Sequence, residues 1–304
     1  KEKKPYFIEL AAGYDTERLF YMKTAAGNSN LMGLNKELRV GLELSQIGYR
    51  ADVGLTEPRF LGTRILSATS LYTEEVEELN QNFGFRATGA SQGFSRPLTR
   101  YLKASLNFQI ENREQYRTDG QAIPEDEADL YDPRSVLVTT PSLVYNSTDS
   151  FVRPTSGMRV SISVDVSSGL KDSLDNFFKY RLDTRYYYSP IKRLILAIHG
   201  RFGYIDPFGG KSLVPDDQLF FLGGINDVRG FDENLLRFDE NNDSVGGRTS
   251  VLGSAEARID VGMNFELAAF YDTGAIRDPL TDDGLNDFRS SVGMALRSIT
   301  PIGP

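Results

Sequence analysis

The sequence predicts an all-β fold, a transmembrane antiparallel β-barrel of about fourteen strands. Three observations point there. Apolar and polar residues alternate with period two along nearly the whole chain, and no helical period of useful length competes. The polar parity carries full charges in runs of about ten residues, the length a tilted strand needs to cross a bilayer. The connections alternate short and long, as in barrels with compact turns at one membrane face and long loops at the other.

The expected strands run at about 6–14, 18–27, 37–46, 49–57, 63–73, 82–93, 100–112, 134–146, 157–168, 177–189, 193–205, 249–261, 263–273 and 287–299. The third alternates through Leu38–Leu44 with Arg39 and Glu43 on its polar side, and the seventh alternates through Leu102–Ile110. In the ninth, Met158, Val160, Ile162, Val164 and Val166 interleave with Arg159, Ser161, Ser163 and Asp165. The tenth carries Lys179, Arg181, Asp183 and Arg185 on its polar parity. Tyr186 and Tyr188 there suit an interfacial girdle, while alternation turns Tyr187 inward. The eleventh places His199 on the polar side, and the twelfth does the same with Glu256, Arg258 and Asp260. In the thirteenth, Met263, Phe265, Leu267, Ala269 and Tyr271 form the outward set against Asn264, Glu266, Ala268, Phe270 and Asp272. The last alternates through Phe288–Leu296.

Parity alone fits two folds. A soluble sandwich would bury the apolar face and wet the charges, whereas a barrel turns the apolar face to lipid and the charges to its lumen. The connections favour the barrel. Counted from the first strand, the even ones are compact and rich in Gly, Pro and Asn, among them Pro58–Gly62, Ser95–Thr99, Pro190–Lys192 and Gly262. The odd ones include Asn112–Pro133, Asp206–Arg248 and Gly274–Asn286. About forty residues without a strand is suspect inside a compact soluble domain.

Composition narrows the function classes. A net charge of −8 argues against a nucleic-acid surface. With no Cys and a single His, thiol chemistry, Cys-based metal sites and disulfides are excluded, and a Ser-His-Asp triad has little to draw on. The acidic runs Glu125–Asp129 and Asp239–Asp243 read as solvated loops; the second could otherwise hold a hard cation. No catalytic constellation emerges, so no enzyme and no cofactor are expected.

Phe220-Phe221-Leu222-Gly223-Gly224-Ile225-Asn226-Asp227-Val228-Arg229-Gly230-Phe231 lies in the longest loop and resembles the signature of the BamA/TamA outer-membrane insertase superfamily. Three further stretches match in order: Asn146–Gly157, a turn before the ninth strand; Phe270-Tyr271-Asp272-Thr273-Gly274; and Ser298–Pro304, a turn after the fourteenth. The resemblance covers essentially the whole chain. It implies that residues 206–248 fold into the lumen, where Arg229 pairs with Asp272 and, by a weaker transfer, with Glu256. Val228, Gly230 and Phe231 would complete that loop lock, Phe231 against Phe270. It also implies sixteen strands, so that 6–304 would be a barrel lacking its last two and 1–5 a linker remnant from a periplasmic region.

The function implied is insertion of unfolded outer-membrane β-barrel clients into a bacterial outer membrane. A weak lateral seam would let a client strand pair with the first strand, Tyr6, Phe7, Ile8, Glu9, Leu10, Ala11, Ala12, Gly13 and Tyr14. Expected partners are the clients and outer-membrane lipids, with accessory lipoproteins or an inner-membrane partner. The rivals are a two-partner-secretion-type translocation pore and a passive porin.

Overall fold

The structure, a computed structural model, describes residues 4–123, 128–171, 174–209, 214–239, 242–277 and 288–298. Fourteen strands follow one another: β1 (Tyr6–Asp15), β2 (Leu19–Asn28), β3 (Glu37–Ser45), β4 (Gly48–Glu57), β5 (Leu66–Glu77), β6 (Phe83–Pro97) and β7 (Leu102–Arg117). After them come β8 (Arg134–Asn146), β9 (Gly157–Gly169), β10 (Phe177–Ile191), β11 (Leu194–Pro207), β12 (Thr249–Gly262), β13 (Phe265–Arg277) and β14 (Arg289–Ser298). They form one sheet in sequence order, every neighbouring pair antiparallel. Among the described residues the sheet is not closed: β1 pairs only with β2, and β14 only with β13.

The alternation places side chains as a barrel requires. On β13, Phe265, Leu267, Ala269 and Tyr271 are exposed on the outer face, while Glu266, Ala268 and Asp272 are buried inside. Ile162 of the β9 row is likewise exposed, while its polar neighbour Asp165 accepts hydrogen bonds from Thr140 and Arg181. Charges inside and large apolar residues outside is the inverse of a water-soluble core. Tyr187 turns inward, with the Arg258 guanidinium 5.8 Å from its ring centroid.

Four strands run well past expectation. β5 continues four residues further than the alternation suggests, β6 four, β7 five and β13 four. In the β5 extension charge pairs replace apolar alternation: Glu75 accepts from Arg86 at 3.1 Å, and Glu74 accepts from Arg50 on β4. Charged residues that read as loop thereby continue the ladder. The long loop is correspondingly shorter than expected, 208–248, because β11 persists through Pro207.

The sheet wraps around that loop. Its residues bond the β1–β2 turn (Thr16 and Glu17), the β5–β6 turn (Glu78, Asn80 and Gln81) and the inner faces of β7, β8 and β10–β13. Two apolar clusters anchor it: Leu222, Val228 and Leu236 against Leu252 and Ile276, and Val214 against Phe177 and Ile205.

Candidate functional site

The site forms where residues 223–231 meet β12 and β13. Gly223 (φ 130°), Gly224 (φ 87°) and Gly230 (φ 92°) take backbone conformations that L side chains rarely adopt. The Gly224 amide donates to the Phe231 carbonyl at 2.9 Å, closing the segment on itself. Within it Val228 is fully buried against β12 and β13, which fixes the position of its neighbour Arg229.

Arg229 Nε and Nη2 donate to the two oxygens of Asp272 at 2.7 and 2.8 Å, and Nη1 donates to Glu256 Oε2 at 2.7 Å. The Arg229 amide adds a 3.2 Å bond to Asp272, and Ser254 Oγ donates to the same carboxylate at 2.6 Å. Bidentate guanidinium–carboxylate pairing is directional as well as strong. The pairing register sets Asp272 opposite Ser254 and Glu256 opposite Phe270, so both acids share the lumen face two residues apart. Burial works against the Arg229 charge, yet the bonds to Asp272 and Glu256 outweigh it and hold the guanidinium above its ordinary range.

Phe231 does not pack on Phe270 as expected. It lies against the Leu222–Val228 cluster, and the Arg229 guanidinium itself covers the Phe270 ring at 3.5 Å. The charge wins this place because a ring face attracts a desolvated cation. The reason for Gly230 also changes. A Cβ there would meet only Ser291 at an ordinary 3.7 Å, so its positive φ, not close approach to the wall, demands glycine.

Several anchors had no signal in the motif. Glu256 also accepts from Arg258 at 2.6 Å and from Arg297 on β14 at 2.8 Å, making it the hub of three cations. Asp217 of the loop is buried between Arg113 and Arg134 and bonds both. Despite burial, these two arginines hold its carboxyl down at about 2. Arg113 and Arg134 sit directly opposite each other on β7 and β8, a like-charge pair that calls for an acid between them. Asp227 pairs with Arg201 of β11. His199, expected in the lumen, bonds Asp183 at 2.9 Å there.

The expected client edge, Tyr6 through Tyr14, lies on β1. Ser29 N–H donates to the Pro5 carbonyl at 2.8 Å, so residues 5, 7, 9, 11 and 13 turn their backbone groups to β2. Tyr6, Ile8, Leu10, Ala12 and Tyr14 therefore aim theirs at the free edge. Phe7 packs across Gly27, Glu9 approaches Arg39, and Gly13 leaves room for the Tyr21 ring. Ala11 is exposed. No group of three His, Cys, Asp or Glu poised for a metal exists among the described residues. Asp239 and Asp243 bond each other's backbone, while 240–241 lie outside the described residues, as do parts of Glu125–Asp129 and of Ser298–Pro304.

A profile of the Omp85 superfamily domain matches residues 30–304. The chain belongs to the Omp85 superfamily. As an Omp85 domain it is an outer-membrane β-barrel. Two relatives bear the name outer membrane protein assembly factor BamA. That of Neorickettsia risticii is 24% identical, covering 100% of this chain and 42% of its own. That of Neisseria meningitidis is 20% identical, covering 100% and 44%. The chain thus spans less than half the length of these curated relatives. The crystal structure of Haemophilus ducreyi BamA lacking POTRA domains 1–3 matches with a TM-score of 0.86 at 20% identity, over 100% of this chain and 66% of that one. CdiB from Acinetobacter baumannii matches at 0.60 and 16% identity, over 99% and 55%. This Omp85 barrel therefore shares its fold more fully with BamA than with CdiB.

Proposed function

We propose that this domain folds and inserts β-barrel clients into the outer membrane by strand addition at β1, with Arg229 locking the lumen loop against β12 and β13. The single observation that carries the reading is the lumen loop locked by Arg229 to Asp272 and Glu256, a lock that leaves β1, whose backbone groups at Tyr6, Ile8, Leu10, Ala12 and Tyr14 point away from β2, outside the ion-paired wall. Unsatisfied backbone groups in hydrocarbon are costly, so an incoming strand gains a full ladder there. The name shared by the two relatives, outer membrane protein assembly factor, agrees with this. The mechanism needs no catalytic side chain and no cofactor. A lumen crossed by a docked loop gives no support to a passive porin.

Two proline substitutions on adjacent residues test the edge. Leu10→Pro removes one edge-facing donor and no bond to β2, a position where an edge strand tolerates proline. Glu9→Pro breaks the ladder to β2 itself. Leu10→Pro is expected to fold normally and to lower client insertion about fivefold, the worth of one hydrogen bond of roughly 1 kcal/mol. Insertion at the wild-type rate by folded Leu10→Pro would remove β1 as the client template.

A further inference from the structure

The even-numbered turns, at the end of the sheet opposite the docked loop, carry an unusual set of side chains. Among the described residues the four most exposed large apolar side chains are Met263 (89%), Phe151 (88%), Met32 (86%) and Leu61 (81%). Each sits at the tip of a different even turn. The other two even turns add exposed Leu98 and Ile191 at their edges. Met32, Leu61 and Met263 have φ of 52°, 50° and 53°, a backbone region where glycine or asparagine is at ease and a bulky side chain is not. The pattern recurs in Leu31-Met32-Gly33 and Phe60-Leu61-Gly62. Three turns thus tolerate strain to hold an apolar tip outward.

Charge divides the molecule the same way. The six even turns together contain seven Lys and Arg and one acid, Asp149. Five of those cations, Arg59, Arg64, Arg100, Lys192 and Arg193, are exposed. The connections at the other end hold 22 acidic residues against six basic ones, in a chain of net charge −8. At Met263 the apolar tip also continues the lipid-facing surface without a break: Ile259 and Val261 of β12 run into it, and Phe265 and Leu267 follow on β13.

We propose that this rim is a membrane-docking surface, its apolar tips seated at the headgroup–acyl boundary and its cations bound to anionic glycerophospholipid headgroups of the periplasmic leaflet. Short turns mark the periplasmic end of such barrels, which assigns the leaflet. Apolar burial and attraction to anionic lipid act together in interfacial anchoring, and either alone is weak. Continuity with the lipid-facing wall and the local positive charge both select lipid as the occupant. The inference concerns how the barrel sits in its bilayer and does not depend on the β1 reading.

The test uses the full-length protein in lipid nanodiscs, with any other cysteine replaced, since this chain has none. A unique cysteine is placed at Met32, Leu61, Phe151 or Met263, with Gln121→Cys as the control at the opposite end, and each is labelled with an environment-sensitive fluorophore. Nitroxide lipids with a shallow label are expected to quench the four tips at least about twofold more than the control. Phosphatidylglycerol-rich discs should strengthen that quenching over pure phosphatidylcholine discs. Reversing Arg59, Arg64, Lys192 and Arg193 to Glu should abolish the lipid dependence. Tip labels reached by aqueous iodide would overturn the proposal. Labels shielded from both quenchers would also overturn it, because a protein surface would then cover the rim. Equal quenching in both lipids would overturn the headgroup assignment, and the tip series stands even if the fourfold variant fails to fold.

Discussion

Arg229→Ala offers the sharpest perturbation of the loop lock. It deletes four side-chain hydrogen bonds, two to Asp272, one to Glu256 and a longer one to Ser254. Glu256 loses little, because Arg258 and Arg297 still bond it. Asp272 is the group stranded. Its side chain is wholly buried, and it keeps only Ser254 Oγ and the residue 229 amide. Removing one member of a buried pair costs about 3–5 kcal/mol. The two surviving donors, and a guanidinium that is 16% exposed, place this case near the lower end, about 3 kcal/mol. The loss should fall on loop docking rather than on the sheet, because the sheet's ladder does not pass through Arg229. With a tenfold change for each 1.36 kcal/mol, exchange protection of the Gly224 and Leu236 amides should drop about a hundredfold. Those amides donate to Phe231 and Leu222, within the loop itself. Hydrogen exchange read by mass spectrometry on the barrel in micelles measures this, with β4–β5 peptides as the internal reference. Arg229→Lys keeps the charge but not the fork and should fall between the two. Unchanged loop exchange in Arg229→Ala, or an equal loss in β4–β5, would refute the lock. Reversing both partners, Arg229→Asp with Asp272→Arg, should restore part of the protection.

Asp217→Asn should free the loop from β7 and β8 at a cost of about 3 kcal/mol, because two buried guanidiniums lose a shared charge; proteolysis between 214 and 219 reads it. Asp217 is held at about 2 against an ordinary 3.8, so its contribution is complete above pH 4 and disappears as pH falls through about 2; acid titration of loop exchange should show that loss in wild type and not in the variant. Glu233 behaves oppositely. Burial first, then the nearby Glu17, Asp227 and Glu78 carboxylates, push it up to about 7, so docking is strongest below pH 4.5 and weakens as pH rises through about 7. Glu233→Gln should remove that dependence, and a persisting one in the same exchange assay would reject the assignment. Gly230→Ala should fold with a penalty of about 1–2 kcal/mol from its positive φ alone, whereas an alanine at Gly223 would also strike the Asp232 carbonyl; thermal unfolding in detergent compares the two.

The strands were legible because lipid enforces parity. An outward charge near the midplane costs about 2–4 kcal/mol, so alternation is held strictly wherever the chain crosses hydrocarbon. Outside hydrocarbon that discipline ends, and the extension of β5, carried by the Arg86–Glu75 and Arg50–Glu74 pairs, looked like loop. Arg229, Asp272 and Glu256 were legible through the motif and the face they share. Asp217 was not, and Asp227, although inside the quoted stretch, was given no partner, since loop residues follow no period and their partners are set by three-dimensional fit. One clue was available. The hairpin around 114–133 puts Arg113 opposite Arg134, and two cations on one lumen face need an acid from elsewhere.

The distribution of anchors around the lumen bears on how a seam beside β1 could open. The apolar clusters holding the loop are small and lie on β10–β13, so charge carries much of the docking. Buried ion pairs add little net stability over an apolar contact, but they tolerate few alternative geometries and so fix position. Among the described residues Asp217 pairs with β7 and β8, Asp227 with β11, and Arg229 with β12 and β13, along one arc. The β1–β2 turn holds the loop, among the described residues, through the Thr16–Glu233 and Asn226–Glu17 hydrogen bonds. A hydrogen bond of this kind contributes about 1 kcal/mol, against several for breaking a buried ion pair. On the proposed reading, the β1 hairpin would swing away from the lumen while the loop stays seated on the far wall. Had the ion pairs been placed on β1 instead, each opening of the edge would have had to strip the loop from its site.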